Sequence, residues 1–466
     1  MKKSSSSTLI LLLALVVITG WYVFYEKRFK EEHSKTEERA KLLVPFSKDD
    51  IQELWISHRK GDTFQLHKTG STWTITSPVH DDADNGVLGS LLSSLTSTQI
   101  EREIEDNPKD LGLFGLAEPS LTITAKKDEN QSESILIGNA TQVGSGSYVK
   151  LARRNTVFKV NRSLHSTFEK SLFELRNKKV LPLTKDEIKD VEIHNPTGSF
   201  LVNKEPSGKW FLAREGTPVD PNKWGKVLSS LTELRATSVE SETGDSLKTF
   251  GLHQPVIKLF FTTEKGQQKF VLFLSTLKDK TYAKREDKAL VYQVDKAILT
   301  ELLKPANELR DPHPIAFNRF NVVRIKITRS DKAPVEIKKD GIAWGFTDPA
   351  NSERVDTSLV EKFLTRLQDV QIARHLGPKT QPPRTPSLSI ELFELKDNQE
   401  VSAGRLDFGK LAKGEITGTS SFAPLAWTLK DADFKEINLE RKDFLEKQGS
   451  HTQEIPDENK HSEQPS

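Results

Sequence analysis

One pattern is written three times along this chain. Asp84, Asp220 and Asp356 stand 136 residues apart, and each opens a run whose apolar residues recur at i, i+3, i+4 and i+7. The runs are Leu88, Leu91, Leu92, Leu95; Trp224, Val227, Leu228, Leu231; and Val360, Phe363, Leu364, Leu367. This spacing predicts three amphipathic helices, each with an aspartate accepting backbone N–H bonds at its start. Upstream, the register returns at steps of 137 and then 134: Ile51, Ile188, Val322; Leu54, Val191, Ile325; Ile56, Ile193, Ile327; Trp73, Trp210, Trp344. Solenoid units of roughly 20–50 residues cannot stand alone. A period this long lets each copy bury its own core, and 466 residues accommodate three such units.

Within the first copy, alternating apolar residues between turn signals (Phe64 and Leu66; Trp73 and Ile75) describe a β-meander ahead of the helix. Four further short strands and a second helix over 163–172 follow. The expected fold class is therefore α+β. A transmembrane helix at the amino terminus leads into three tandem repeats of an antiparallel sheet, each with three strands, a helix, four strands and a helix packed on the sheet. The repeats are expected over residues 44–181, 182–317 and, in degenerate form, 318–447, with a polar disordered tail over 448–466.

The amino terminus suggests an address. Lys2, Lys3 and a serine-rich stretch precede the apolar run from Leu9 to Phe24, which ends among Trp21, Tyr22 and Tyr25. Bulky aromatics stand where a signal-peptide cleavage site needs small residues. Residues 1–25 are accordingly expected to be an uncleaved anchor that meets the lipid bilayer through 9–25, with 26–43 as a charged stalk. The bulk of the chain is expected outside the cytoplasm, anchored in the inner (cytoplasmic) membrane, and a sequence without cysteine fits an oxidising compartment.

The residues offer little chemistry. Sixty-eight basic residues against 66 acidic leave a formal charge of +2, which gives no bulk attraction to nucleic acid. His80-Asp81-Asp82 with Asp84 is the most metal-like cluster, yet only the last aspartate returns in the second copy, so a polar loop entering a helix is the preferred reading. Gly404 to Leu411 nearly matches a phosphate-binding loop but places leucine where a hydroxyl must hold magnesium; a hairpin turn is preferred. Gly144 to Ser147 reads as a turn between strands. No catalytic, cofactor-binding or metal-binding residue is assigned. Arg176 and Arg310 follow a core leucine in two copies and are candidates for pairing with a buried carboxylate or for facing a partner. Trp73, Trp210 and Trp344 are candidate core residues beneath the helices, or interface residues.

The Asp-opened leucine-rich helix, the Phe-Gly-Leu-x-x-Pro turn at Phe114-Gly115-Leu116 and Phe250-Gly251-Leu252, and the closing Leu175-Arg176 and Leu309-Arg310 together resemble the bacterial domain of unknown function 4340. The resemblance spans about 44–447 and is weakest late in the third copy. It implies an envelope protein beside ABC-type export or gliding-motility transport systems, with membrane transport subunits as partners. It carries no catalytic residues to transfer. The expected function is a membrane-anchored binding or scaffold protein accessory to such a complex; a cell-envelope hydrolase or glycan-binding protein is the alternative.

Overall fold

The computed structural model describes residues 15, 17–22, 24–25, 41–142, 144–264, 269–348, 353–376, 385–422 and 424–446. The chain divides into two compact units, Met1–Lys178 and Lys179–Ser466. The first unit holds one large antiparallel sheet and the second holds two.

In the first unit, hairpins link β1 (Glu53–His58), β2 (Thr63–Thr69), β3 (Thr72–Ser77) and the two-residue β4 (Asp81–Asp82). Helix α1 (Asn85–Ser97) then leads to β5 (Arg102–Asp106), and a meander follows: β6 (Leu121–Lys126), β7 (Ser132–Ala140), β8 (Gly146–Leu151) and β9 (Thr156–Asn161). The strand order is β4-β3-β2-β1-β6-β7-β8-β9-β5, so α1 connects strands at opposite edges. Its Leu88, Leu91, Leu92 and Leu95 are buried in one cluster with Leu54, Ile56, Ile123, Ile135 and Val149 from the strands. Complete burial of each such side chain stabilises the fold by roughly 1.5–3 kcal/mol. Two short helices, α2 (Ser163–Phe168) and α3 (Leu172–Leu175), close the unit. The single helix expected over 163–172 is broken because Ser171 and Glu174 form a capping box that starts a new turn.

The second unit repeats the scheme. Strands β10 (Ile188–Asn195), β11 (Gly198–Lys204), β12 (Trp210–Leu212) and β13 (Thr217–Pro218) precede α4 (Pro221–Thr232) and β14 (Ala236–Ser241). After them come β15 (Ile257–Thr263), β16 (Lys269–Leu277), β17 (Lys280–Arg285), β18 (Val291–Val294) and α5 (Ala297–Leu302). The order β13-β12-β11-β10-β15-β16-β17-β18-β14 matches the first sheet. The third sheet has eight strands: β19 (Val322–Arg329), β20 (Val335–Asp340), β21 (Ala343–Phe346), β22 (Arg374–His375), β23 (Leu388–Lys396), β24 (Gln399–Ala412), β25 (Glu415–Ser420) and β26 (Trp427–Lys430). Its helices are α6 (Thr357–Asp369), between β21 and β22, and α7 (Asp431–Ile437) after β26.

Two expectations about fold class need correction. Antiparallel sheet dominates more than a unit of seven strands allows. Strands such as β4 and β5 carry almost no apolar alternation, and β5 is held by backbone pairing of Arg102–Asp106 with Thr156–Lys159 of β9. Furthermore, among the described residues no helix is long and apolar enough to cross a membrane, which overturns the expected transmembrane helix. Residues 15, 17–22 and 24–25 are helical, while 9–14, 16 and 23 lie outside the described residues. Sixteen residues from Leu9 to Phe24 reach only about 24 Å as a helix, short of a hydrocarbon core of about 30 Å. Residues 26–40 of the expected stalk and the tail also lie outside the described residues.

Candidate functional site

The polar residues that recur across copies are held in structural work. Asp84 Oδ1 accepts the Gly86 and Val87 N–H groups at 2.9 and 3.2 Å, and Asp220 Oδ1 accepts those of Asn222 and Lys223 at the same distances. Asp356 accepts the Ser358 N–H at 2.8 Å. Opposite each cap, the closing segment of the copy forms an isolated antiparallel bridge: Ala83 with Arg176, Val219 with Arg310, and Val355 with Leu445.

At that bridge a guanidinium meets a carboxylate, from a different place in each copy. Arg176 Nε lies 3.5 Å from Asp81 Oδ2, both side chains almost fully buried. Arg310 makes a forked pair with Glu215, its Nε and Nη2 donating at 3.0 and 2.9 Å. In the third copy leucine replaces this arginine at 445, and Arg441, one turn earlier, donates to Glu353 at 2.7 Å while lying over the Phe346 ring at 3.8 Å. Asp81 and Asp84 of the metal-like cluster are thus engaged with Arg176 and the helix start.

The tryptophans differ in burial. Trp73 and Trp344 are buried, and the Trp344 Nε1–H donates to Glu361 of α6 at 3.1 Å. Trp210 is half-buried and packs its ring 5.5 Å from that of Trp224. The segment from Gly404 to Leu411 lies inside β24, not in a hairpin turn; the turn comes after Ala412. Gly144 and Ser145 do lie in the turn between β7 and β8, and Gly146 and Ser147 begin β8.

Two grooves remain as candidate binding sites. In the first unit, a groove of about 600 Å³ runs between the β1–β2 hairpin and the segment after α2. His58, Arg59, Asp62, His165, Glu169 and Lys170 contribute its polar lining. In the second unit, a groove of about 430 Å³ forms where the chain passes from the second sheet to the third. Lys223, Lys226, Lys304, Arg310 and His375 face Glu301 and Glu308 there. The passage itself is short, since Asp311 N–H donates to the Pro218 carbonyl at 2.9 Å and Ile372 N–H donates to the Pro312 carbonyl at 2.7 Å.

Two histidines at this passage are tuned in opposite directions. A hydrogen bond to Asp311, at 2.8 Å, raises the His313 pKa above the ordinary imidazole value against the cost of burial. Burial lowers that of His375, and the Arg310 charge lowers it further. The His375 Nδ1 is buried without a hydrogen-bond partner among the described residues. These groups were missed in the sequence because neither histidine belongs to the repeated register.

Comparison with known proteins places this geometry in a family. No curated protein matches the chain. A solved DNA polymerase sliding clamp from Pseudomonas aeruginosa, with ligand, aligns over 84% of this chain and 94% of its own, at 7% identity and a TM-score of 0.14, a likeness that carries no argument. The sequence profile described as Domain of unknown function (DUF4340) matches residues 73–217 and 210–389, ranges that take in the first two helix caps, the Phe-Gly-Leu turns and the Arg310 clasp. The chain belongs to the DUF4340 family.

Proposed function

We propose that this protein is an extracytoplasmic binding or scaffold component of an ABC-type envelope transport assembly. The observation that carries the reading is the division of labour among its polar residues. Those that recur from copy to copy are taken up by caps and clasps, whereas most residues that line the open polar grooves, Arg310 and the matching Lys170 and Lys304 apart, differ between copies. A scaffold needs this combination: rigid sheets for spacing and divergent grooves for different contacts. The transport context comes from the family resemblance, and the absence of cysteine fits an oxidising compartment.

Crosslinking in intact cells at native expression, followed by identification of neighbours, tests the proposal. Transport subunits are expected among the captured proteins. Reproducible capture that never includes one overturns the transport assignment.

A further inference from the structure

The last residue of the first strand in each sheet occupies one register position, two residues beyond Ile56, Ile193 and Ile327. It is His58 in β1, Asn195 in β10 and Arg329 in β19. In two of the three sheets this residue ties down the segment that follows the closing helix. Asn195 Nδ2 donates to the carbonyls of Leu302 and Lys304 at 2.8 and 3.1 Å. Arg329 Nη2 donates to the Leu439 carbonyl and, at 3.1 Å, to Asn438 Oδ1. The segments correspond: α2, α5 and α7 end at Phe168, Leu302 and Ile437, all buried.

In the first sheet the tie is missing among the described residues. His58 Nδ1 instead lies 3.4 Å from the Asp62 carbonyl of its own hairpin, and the ring rests edge-on against Phe64 at 5.7 Å. The counterpart of the tied segment is Glu169–Lys170, and the 600 Å³ groove opens between it and His58. Clefts that hold ligands are commonly about 300–1,000 Å³.

We infer that this groove is a seat for an arginine side chain of a partner polypeptide, which supplies from outside the bond that Asn195 and Arg329 supply from within. The chain displays the chemistry of the occupant twice, as an amide and as a guanidinium. The guanidinium suits this groove better. Asp62 and Glu169 line it, and a planar fork of five N–H donors can meet a carbonyl and a carboxylate together. Of the lysines and arginines in its lining, Arg59 is engaged with Glu118 at 2.6 Å and Lys170 with Glu174 at 3.5 Å, while Lys60 is exposed in the turn between β1 and β2. The inference deepens the scaffold reading by naming what one groove holds.

Saturation-transfer NMR on the full chain, with N-acetyl-argininamide as the probe and N-acetyl-lysinamide as the comparison, tests it. A saturable signal that favours the arginine derivative is expected. His58→Asn rebuilds the tie of the second sheet, so it is expected to weaken that signal by at least about tenfold and to raise the thermal midpoint by about 2–4 °C. If that variant does not fold, Asn195→His is expected to open a second arginine seat and increase the signal. No saturable signal up to about 50 mM overturns the inference. So does an undiminished signal in folded His58→Asn, or, where that variant fails, no gain in Asn195→His. A failed probe leaves the crosslinked neighbours unaffected, so the two proposals fail separately.

Discussion

Arg176 and Asp81 meet with side chains 3% and 5% exposed, whereas Arg310 and Glu215 are 17% and 32% exposed. Removing one partner from a buried pair strands the other charge away from water, at a cost of about 3–5 kcal/mol. Arg176→Ala is therefore expected to lose that much in urea unfolding, and Arg310→Ala less, because water reaches Glu215. Equal losses would show that burial does not set the difference. His313 and His375, at the passage between the second and third sheets, make a prediction of opposite sign. His313, raised above the ordinary 6.5 by Asp311, stabilises the fold below that value, and its contribution fades as pH rises through its folded pKa. His375, lowered by burial, contributes as the neutral ring above 6.5 and loses that contribution as pH falls. Unfolding midpoints of His313→Asn and His375→Asn, each relative to wild type, should consequently diverge in opposite directions between about pH 5 and about pH 9. A common pH trend in both variants would contradict the assignment.

The Phe-Gly-Leu turn shows at the scale of elements why a short motif was legible. Gly115 and Gly251 end 3-10 turns at Leu111–Phe114 and Leu247–Phe250 with φ of 68° and 69°. A Cβ at Gly115 would also meet the Asn139 side chain at 2.4 Å, and one at Gly251 the Ser275 hydroxyl at 2.7 Å. Gly115→Ala is thus expected to destabilise by more than about 1 kcal/mol in urea unfolding, since left-handed backbone and steric overlap act together. A neutral result would mean that the turn relaxes. The twelve apolar helix positions read from spacing are all buried, because a 3.6-residue period leaves one face to cover. Strand β5 escaped notice since Ile104 is the one apolar residue of Arg102-Glu103-Ile104-Glu105-Asp106, which leaves no alternation to read although the strand pairs with β9. The acids that answer the arginines escaped for another reason: Asp81 and Glu215 do not align between copies, and periodicity detects only what repeats. His58, Asn195 and Arg329 are invisible on the same ground, although they share one register position.

At the scale of the whole molecule, the first unit should not need the rest of the chain. A continuous core cluster extends from Leu43 to Leu175 and draws on strands β1 to β3 and β6 to β9 and on helices α1 to α3. Residues 41–178 expressed alone are expected to unfold cooperatively in urea with a single transition by circular dichroism and tryptophan fluorescence. Noncoincident or gradual curves would refute autonomy. Tandem sheets of matching topology carry a hazard, because a strand or closing segment can dock on a neighbouring copy during folding. The clasps bear on that hazard. Relative to the first copy, the second has moved its acid to Glu215 and the third has moved its arginine to Arg441. The first two closing segments bring their arginine to the same bridge position, whereas the third has Leu445 there and carries its positive charge one turn earlier at Arg441, so the clasp marks the third end apart from the other two.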